Sequence, residues 1–482
     1  MITLDAAIVY DVECFPNCFT LSMEMLHSDV CATWEISEFR DDRQLLREWF
    51  NYLQATQTPM IGFNNVGYDY LIIHYLYHNP QATYSDIYAK NQELFASTDR
   101  FGHMIWDRDR FAPQIDLFKV HHFDNRAKTT SLKALQVNMR SPTVVDSPIP
   151  FGSQLTADQV ETGIIPYNKH DVKETKRFAH YSLPAINFRL GLIDQFGLEA
   201  LNYNDTKIGE KMLEQRLGDD VCYDRSSGRK QKRQSPRYRI ALDEIIFPYI
   251  KFNNPEFQRV LEYMRSQVLT PDDLDDPDAE IKTKGVFTNL IANVGGLDFY
   301  FGTGGVHASV SAQRFVADDE WLIRDIDVEG LYPNIAIVNR LAPEHLGDAF
   351  IAEYGKIPTE RKTHKKGTYQ NAALKLAANG AWGKSNNKYS VFYDPRYAMT
   401  IPINGQLMLC MLAEWLTAVP TLQMIQVNTD GITYRIHATM LDHAKAIEKQ
   451  WEAYTCLTLE SCFYSRLWIR DVNNYIAEYR DE

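Results

Sequence analysis

Residues 321–338 read WLIRDIDVEGLYPNIAIV, which predicts a strand, a turn at the glycine and proline, and then more apolar chain. Residues 422–436 read LQMIQVNTDGITYRI, and their central Asn-Thr-Asp-Gly turn predicts a tight hairpin of two strands. The two segments place Asp327 and Asp430 next to predicted turns. The C-terminal part of the chain should therefore contain a sheet that carries both aspartates.

These segments resemble the catalytic motifs of family B DNA polymerases. The similar stretches are 327–333 (DVEGLYP, motif A), 374–383 (LKLAANGAWG in a predicted helix, motif B), 426–431 (QVNTDG, motif C) and 302–305 (GTGG, the glycine motif between exonuclease and polymerase modules). The chain departs from the family pattern at Gly330, Gly380, Trp382, Gln426, Asn428 and Gly431. The resemblance covers roughly residues 300–475, and motif A is its most specific part.

The resemblance implies a two-metal active site that uses Asp327 and Asp430. Two carboxylates on adjacent strands can bridge two Mg²⁺ (or Mn²⁺) ions, one serving the primer 3′-OH and the other the triphosphate. Asn428 stands where the family has its less essential aspartate, which lowers the local negative charge without removing the bridge. The implied reaction is the template-directed addition of dNTPs to a primer 3′ end.

The resemblance also implies nucleotide contacts, by Tyr332, Arg361, Lys365, Lys375, Asn379 and Trp382. Lys375 and Asn379 are four positions apart, so they share a helix face, and Lys375 is expected on the triphosphate. The ring of Tyr332 is expected to block a ribose 2′-OH, which makes dNTP the substrate. The alternatives are a plain core aromatic for Tyr332 and a solvated helix face for the basic cluster at 360–366.

Contacts to primer-template DNA are implied at Gly304, Gly305, Thr429 and Tyr475. Tyr475 ends the segment 472–475 (VNNY), which resembles the K-K-x-Y motif of the family without its lysines. Family members place a thumb domain after this motif and far more chain between motifs A and B. We therefore expect short fingers, no recognisable thumb, and a second polypeptide that supplies a thumb or processivity function if the absence is natural.

The N-terminal part carries its own set of acids. Residues 6–13 (AAIVYDVE) and 17–25 (NCFTLSMEM) predict two strands joined by a Pro-Asn turn. Asp11 and Glu13 are two positions apart on the first strand, so they share one face, where they would repel each other unless a cation joined them. A solvated strand end is the alternative explanation for such a pair.

Two later segments add to this set. Residues 62–73 (GFNNVGYDYLII) place Asp69 at a strand-to-helix passage, and residues 166–175 (PYNKHDVKET) place Tyr167 over Asp171 on one helix face. Together these stretches resemble the three motifs of a proofreading 3′–5′ exonuclease with a ribonuclease-H-like fold.

That resemblance implies that Asp11, Glu13, Asp69 and Asp171 hold two divalent cations, because phosphodiester hydrolysis uses two hard cations with oxygen ligands. Tyr167 would orient the attacking water. Single-stranded DNA would be held by Asn64, Tyr68, Ser131 and Leu132. For Ser131 and Leu132, an ordinary capped amphipathic helix is the alternative.

The expected fold class is α/β and α+β multidomain, with a ribonuclease-H-like exonuclease domain followed by a polymerase palm and short helical fingers. The expected domains are an exonuclease at 1–200, a connecting region at 201–300, palm at 301–350, fingers at 351–390 and palm again at 391–482. Two charged segments, basic at 225–239 and acidic at 270–280, are expected to be exposed connections, and the basic one could instead contact phosphates. Residues 243–267 between them are expected to be helical.

Net charge, cysteine content and hydropathy exclude some classes of protein. The 482 residues carry a net charge of −13, which excludes a histone-like polycation but not a nucleic-acid-binding protein. The 7 cysteines include no C-x-x-C pair, which argues against disulfides and a zinc ribbon and favours a reducing cytoplasm, that of a bacterial host if the gene is phage-encoded. No window of about 18 uncharged apolar residues occurs, so we expect a soluble protein without a membrane partner.

The leading interpretation is a family B DNA polymerase with 3′–5′ proofreading that serves phage DNA replication; the DVECFPN and NTDG stretches look most like a phage or mobile-element enzyme. Two alternatives stay open. The chain could be an exonuclease with an inactive polymerase module, or a non-catalytic DNA-binding subunit of a replisome. Retention of Asp327, Lys375, Asn379 and Asp430 together speaks against the last.

Overall fold

The computed structural model describes residues 2–99, 102–125, 128–271, 281 and 285–480. The chain divides into two compact units, Met1–Ile208 (unit 1) and Gly209–Glu482 (unit 2), each with its own β-sheet. The predicted acidic connection at 270–280 lies outside the described residues from 272 onward. The prediction of a mixed α/β chain with more than one domain is confirmed.

Unit 1 is built on a five-stranded sheet in the order β3-β2-β1-β4-β5. Its strands are β1 (Ile8–Phe15), β2 (Cys18–Met25), β3 (Cys31–Ser37), β4 (Met60–Gly62) and β5 (Gln114–Asp116). Strands β1, β2 and β3 pair in antiparallel fashion, whereas β4 and β5 extend the sheet in parallel with β1. The β1–β2 pairing runs to Phe15 opposite Cys18, which confirms the predicted hairpin.

Helices cover this sheet. They are α1 (Arg43–Thr56), α2 (Asp69–His78), α3 (Tyr84–Ala96), α4 (Leu117–Val120), α5 (Leu132–Asn138), α6 (Ala157–Gln159) and α7 (Ile165–Phe196). Helix α8 (Asp205–Leu217) follows them in the chain, and the division between the units falls within it. Alternate residues of a strand face opposite sides, so Tyr10 and Val12 enter one hydrophobic cluster while Val9 packs in the other, which includes Val172 of α7. Asp11 and Glu13 follow Val9 at intervals of two, which places them on the α7 side of the sheet.

Unit 2 is built on a nine-stranded sheet in which every strand pair is antiparallel. The order is β10-β11-β12-β15-β16-β14-β17-β13, and β18 also pairs with β17. These strands are β10 (Ile291–Val294), β11 (Leu297–Phe301), β12 (Val306–Ser309), β13 (Gln313–Val316), β14 (Trp321–Val328), β15 (Gln423–Asn428), β16 (Gly431–His437), β17 (Leu459–Asp471) and β18 (Asn474–Tyr479). Two short pairs, β6 (Tyr223–Asp224) with β7 (Gln231–Lys232) and β8 (Ile240–Ala241) with β9 (Val268–Leu269), lie outside this sheet.

The helices of unit 2 are α9 (Asp219–Cys222), α10 (Pro255–Ser266), α11 (Leu331–Val338), α12 (Gly347–Thr363), α13 (Tyr369–Ser385), α14 (Pro395–Thr417) and α15 (Leu441–Thr455). Helix α13 crosses α8 at a backbone-to-backbone contact between two glycines. A Cβ atom on Gly380 would lie 2.6 Å from the carbonyl carbon of Gly209, and one on Gly209 would overlap the carbonyl oxygen of Leu376. Both helices therefore need glycine at this crossing.

The basic segment 225–239 is engaged in ion pairs within unit 2. Arg225 and Lys230 contact the carboxylate of Asp219 at 2.7 and 2.9 Å, and Arg237 contacts Asp394 at 3.3 Å. Because these cations already have acidic partners, the pairs favour the interpretation of this segment as a connection rather than as a phosphate-binding surface.

The predicted helix at 243–267 is wrong in its first half. The helix begins only at Pro255, where the side chain of Asn254 caps it by accepting a hydrogen bond from Glu256 N at 2.9 Å. Pro248 lies in the non-helical stretch before it, where a proline disfavours helix for the preceding residue. Among the described residues, no helix is both long and apolar enough to cross a bilayer.

Candidate active sites

Carboxylates from separate parts of unit 1 gather beside β1. Asp11 and Glu13 come from the strand and Asp171 comes from α7, and one oxygen of each lies within 4.8 Å of the others. Oδ1 of Asp171 is buried and has no hydrogen-bond partner. Converging carboxylate oxygens with an unsatisfied acceptor are suited to a hard divalent cation.

Asp69 lies next to this group. It begins α2, and its Oδ1 accepts a hydrogen bond from the backbone N of Val12 at 3.2 Å, between the two acidic residues of β1. The structure thus brings all four carboxylates predicted for this site into one neighbourhood.

The carboxylates of this cluster are difficult to ionise in the absence of a cation. Burial raises the pKa of Glu13 to about 8, and the negative charges of Asp171 and Asp69 add to the effect. Burial, followed by Asp69 and Glu13, also raises the pKa of Asp11 well above its usual range. Burial likewise raises the pKa of Asp69 to about 7. Like charges at short range make each carboxylate hard to ionise, and a bound cation would reverse that effect.

Helix α7 supplies two polar neighbours of the carboxylates. Burial, and then the charge of Asp171 one helical turn away, raises the pKa of the Tyr167 hydroxyl. Nδ2 of Asn168 donates to Oδ2 of Asp11 at 2.8 Å, while its Oδ1 accepts from Thr20 at 3.3 Å. No motif marks Asn168, although its place three residues before Asp171 in a helix is a usable signal.

The residues expected to hold single-stranded DNA have well-defined local roles. Asn64 adopts a left-handed conformation with φ of 62°, and its backbone N donates to Asp116 at 2.9 Å. The ring of Tyr68 lies 5.6 Å from that of Phe95, which is 71% exposed. Tyr68 itself is partly buried and donates its hydroxyl to Asn91 at 2.8 Å, so Phe95 is the exposed ring of the pair on which a base can stack.

Ser131 caps α5, where its hydroxyl accepts a hydrogen bond from Ala134 N at 3.2 Å, and Leu132 is the first residue of that helix. Ser131 and Leu132 therefore form the capped helix that the sequence analysis gives as the alternative to a DNA-binding role. The next residue, Lys133, lies close enough to the carboxylate cluster to lower the pKa of Glu13 and Asp171. Lys133 lies inside the sequence motif at 131–135. Its closeness to the carboxylates depends on tertiary packing, so the motif alone does not predict it.

In unit 2, strand pairing brings Asp327 and Asp430 together. Asp327 of β14 lies opposite Gly431 of β16, and the backbone N of Val328 donates to the carbonyl of Asp430 at 2.8 Å. A Cβ on Gly431 would overlap Oδ1 of Asp327. The glycine at position 431 therefore leaves room for the neighbouring carboxylate.

Two further acids lie beside this pair. Partial burial raises the pKa of Asp327 to about 6, with added effects of Asp325, Asp430 and Glu460. Partial burial, and then Asp325, also raises the pKa of Asp430. Asp325 accepts hydrogen bonds from the hydroxyls of Thr433 at 2.5 Å and Tyr464 at 2.8 Å.

The sequence marks these two acids unequally. Asp325 precedes Asp327 by two residues on one strand, so the period of the strand could have indicated it. Glu460 stands opposite Asp327 only because β17 pairs with β14 in this register. No pattern in the sequence around Glu460 predicts that pairing.

A cavity of about 640 Å³ lies beside these carboxylates. Its lining includes the predicted residues Arg361, Lys375 and Asn379, together with Lys362 and Glu460. The end of α12 is tied to α13 because Nδ2 of Asn371 donates to the carbonyl of Arg361 at 3.0 Å. Lys365 is exposed and is not part of this lining.

Tyr332 and Trp382 form an aromatic pair with ring centroids 4.2 Å apart. The hydroxyl of Tyr332 donates to the carbonyl of Gly304, and the indole of Trp382 donates to the carbonyl of Ala398 at 3.1 Å. Burial, followed by the charge of Asp430, raises the pKa of the Tyr332 hydroxyl to about 12, so it stays a donor. The two rings are therefore fixed in place by a hydrogen bond on each side.

The glycine loop and the hairpin of motif C are also neighbours. Thr429 has φ of 55° and its backbone N donates to Val306 at 3.0 Å, and a Cβ on Gly305 would lie 3.2 Å from its methyl group. Tyr475 of β18 is 44% exposed. Partial burial, and then Asp325 and Asp327, raises its pKa, so its hydroxyl lies within electrostatic range of the carboxylates.

No family model matches the chain, and no curated protein sequence matches it. Among solved structures, the chain is similar to the family B DNA polymerase from the hyperthermophilic archaeon Pyrobaculum calidifontis, with a TM-score of 0.50 and 15% sequence identity. The match covers 98% of this chain and 59% of that polymerase. At this identity the similarity establishes the fold alone, which is a polymerase-like arrangement of mixed α/β structure.

Proposed function

We propose that the chain is a DNA polymerase of the family B type with 3′–5′ exonuclease activity, acting in the replication of a phage or mobile element. Unit 2 adds dNTPs to a primer 3′ end, and unit 1 removes nucleotides from a single-stranded 3′ end. One observation carries the proposal: each unit of a chain with a polymerase-like fold gathers carboxylates suited to divalent cations, at Asp11, Glu13 and Asp171 in one and at Asp327 and Asp430 in the other.

In the exonuclease, the four carboxylates of unit 1 hold the cations that phosphodiester hydrolysis needs. Divalent cations, when bound, stabilise the negative charge that develops on the phosphate. The hydroxyl of Tyr167 orients the attacking water, and Asn168 fixes the carboxylate of Asp11 through their 2.8 Å hydrogen bond. The exposed ring of Phe95, next to Tyr68, offers stacking surface to the terminal bases.

In the polymerase, Asp327 and Asp430 hold the cations of the synthetic reaction, with Mg²⁺ or Mn²⁺ as the expected ions. Lys375 and Arg361 line the neighbouring cavity and bind the triphosphate, because phosphate oxygens attract cationic donors. Tyr332 is held between Gly304 and Trp382, which leaves its ring little freedom to move away from an incoming sugar.

The test is an assay on a labelled primer-template with Mg²⁺, with and without dNTPs. We expect extension with dNTPs and shortening without them. Asp327→Asn should abolish extension and spare shortening, and Asp11→Asn with Glu13→Gln should do the reverse. Shortening without extension by the unaltered chain would leave an exonuclease with an inactive polymerase module, and DNA binding without either activity would leave a non-catalytic subunit.

A further inference from the structure

Unit 1 contains a pair of metal-ligand side chains that the proposed function does not use. His74 and His78 lie four positions apart on α2, toward the end opposite Asp69, so both side chains are on one face of the helix. Their Nε2 atoms are 3.2 Å apart and their ring centroids 4.4 Å apart. Nε2 of His74 also lies 3.2 Å from the backbone carbonyl oxygen of Asp109, to which it donates, so an ion bound by both Nε2 atoms would displace that proton and its hydrogen bond.

The separation of these nitrogens matches that of two ligands of one metal ion. Imidazole nitrogens bind Zn²⁺ at roughly 2.0–2.1 Å, and two ligands of a tetrahedral ion at that distance lie about 3.3 Å from each other. The observed 3.2 Å is close to that value. Two histidines at i and i+4 on one helix face are also the spacing by which zinc is held in known helical sites.

Aromatic rings lie next to both imidazoles and limit their rotation on one side. The ring of His74 lies 5.7 Å from Tyr70 and is stacked at 15° on Phe111, and the ring of His78 lies 5.1 Å from Tyr77. Ligands that are already oriented lose less side-chain entropy when a metal binds.

The pair faces a cavity of about 340 Å³, which leaves space for water ligands. His103 and Lys90 also line this cavity, and the charge of Lys90 is compensated by Glu93 at 2.9 Å. Burial lowers the pKa of His74, which favours the neutral imidazole that binds metals. A cation can therefore approach the two nitrogens from solvent.

We propose that His74 and His78 form a binding site for one borderline transition-metal cation of the Zn²⁺, Ni²⁺ or Cu²⁺ class, with water completing its coordination. Imidazole suits these ions, whereas carboxylates suit Mg²⁺ and Mn²⁺, so this site is chemically distinct from the carboxylate cluster of the same unit. The bound ion cross-links two side chains one turn apart on α2, the helix that begins with Asp69. The proposal does not depend on either catalytic activity.

The test is titration of the full, tag-free chain with Zn²⁺ by calorimetry, in the presence of saturating Mg²⁺ to occupy the oxygen-ligand sites. We expect one Zn²⁺ site that His74→Gln or His78→Gln weakens by about tenfold or more, since even indirect metal partners are typically worth 10–100-fold. The matched control is His180→Gln, because His180 is also paired with a histidine of unit 1, His27, but at 5.9 Å between ring centroids. This control should bind Zn²⁺ like the unaltered chain.

Thermal unfolding distinguishes loss of the metal site from misfolding of a variant. Zn²⁺ should raise the unfolding temperature of the unaltered chain and of His180→Gln but not that of His78→Gln, whose exposed side chain can be replaced without disturbing the core. Equal Zn²⁺ affinity in the unaltered chain and both ligand variants would overturn the proposal. So would the lack of any Zn²⁺ binding under Mg²⁺, which would leave His74 and His78 as a hydrogen-bonded pair only.

Discussion

Replacing Gly431 with alanine would put a methyl group where Oδ1 of Asp327 lies. The backbone cannot move the methyl group away, because Gly431 is held in β16 opposite Asp327 and a Cβ there is also only 3.0 Å from the carbonyl of Ile326. Asp327 is only partly buried and has solvent on one side, so its carboxylate can rotate into solvent instead. The substitution should therefore displace the carboxylate proposed to hold the cations of synthesis, without unfolding the sheet.

The size of the effect follows from this geometry. To restore ordinary contact distances the carboxylate must move by more than about 1 Å, and a misplacement of that size can cost about 10²-fold in rate. We expect Gly431→Ala to lower the rate of single-nucleotide addition by about that factor, measured by rapid quench on a primer-template at saturating dNTP. Degradation of single-stranded DNA should continue at the rate of the unaltered chain.

The matched control is Gly355→Ala in α12, where a Cβ would meet nothing within 4 Å. Alanine in a helix interior is favoured over glycine by about 1 kcal/mol, so this variant should be at least as stable and equally active. A Gly431→Ala chain that adds nucleotides at the normal rate, with intact fold, would refute the placement of the synthetic site at Asp327.

Three further results are expected. Tyr332→Ala should raise the incorporation of ribonucleotides relative to dNTPs by about 10²-fold, as one lost steric contact commonly does, and an unchanged preference in a competition assay would remove Tyr332 from sugar selection. Asp325→Asn should raise the Mg²⁺ concentration for half-maximal extension by roughly fivefold, because losing a charge near Asp327 and Asp430 removes about 1 kcal/mol of attraction for the cations; an unaltered Mg²⁺ titration would contradict it. In EDTA, the free energy of unfolding should fall as pH rises from 4.5 toward 8, because Glu13 has a pKa of about 8 in the folded chain against 4.5 ordinarily, so the unfolded chain releases this proton over a range in which the folded chain still holds it. Urea unfolding should show a smaller pH effect for Glu13→Gln.

Local signals explain which elements could be predicted. The two hairpins follow from turn residues between alternating strands, and the helix expected at residues 166–175 lies within α7, Ile165–Phe196. The stretch from 243 to 254 does not continue the helix that begins at Pro255, because Pro248 disfavours helix before it and Asn254 caps the helix start, and both residues are visible in the sequence. In this segment the helix-breaking proline outweighs the helix propensity of the neighbouring residues.

The candidate sites were predictable only as far as sequence motifs extend. Asp11 and Glu13 share a strand, so their common face follows from the period of two. Glu460 joins the acids of unit 2 through the register of two strands far apart in sequence, and the cations of 225–239 meet acidic partners such as Asp394 through tertiary packing. Such contacts depend on the whole fold and leave no local pattern.

The crossing of α8 and α13 has a consequence for how this chain can evolve. Each glycine there is opposed by backbone of the other helix, Gly209 by the carbonyl of Leu376 and Gly380 by the carbonyl carbon of Gly209 at 2.6 Å. Backbone atoms cannot be exchanged for smaller ones, so no change elsewhere in either helix makes a larger residue acceptable at these positions. Lineages that descend from this chain should therefore keep both glycines long after the surrounding surfaces have diverged, and the pair offers a fixed point for aligning sequences too distant to align by their catalytic motifs.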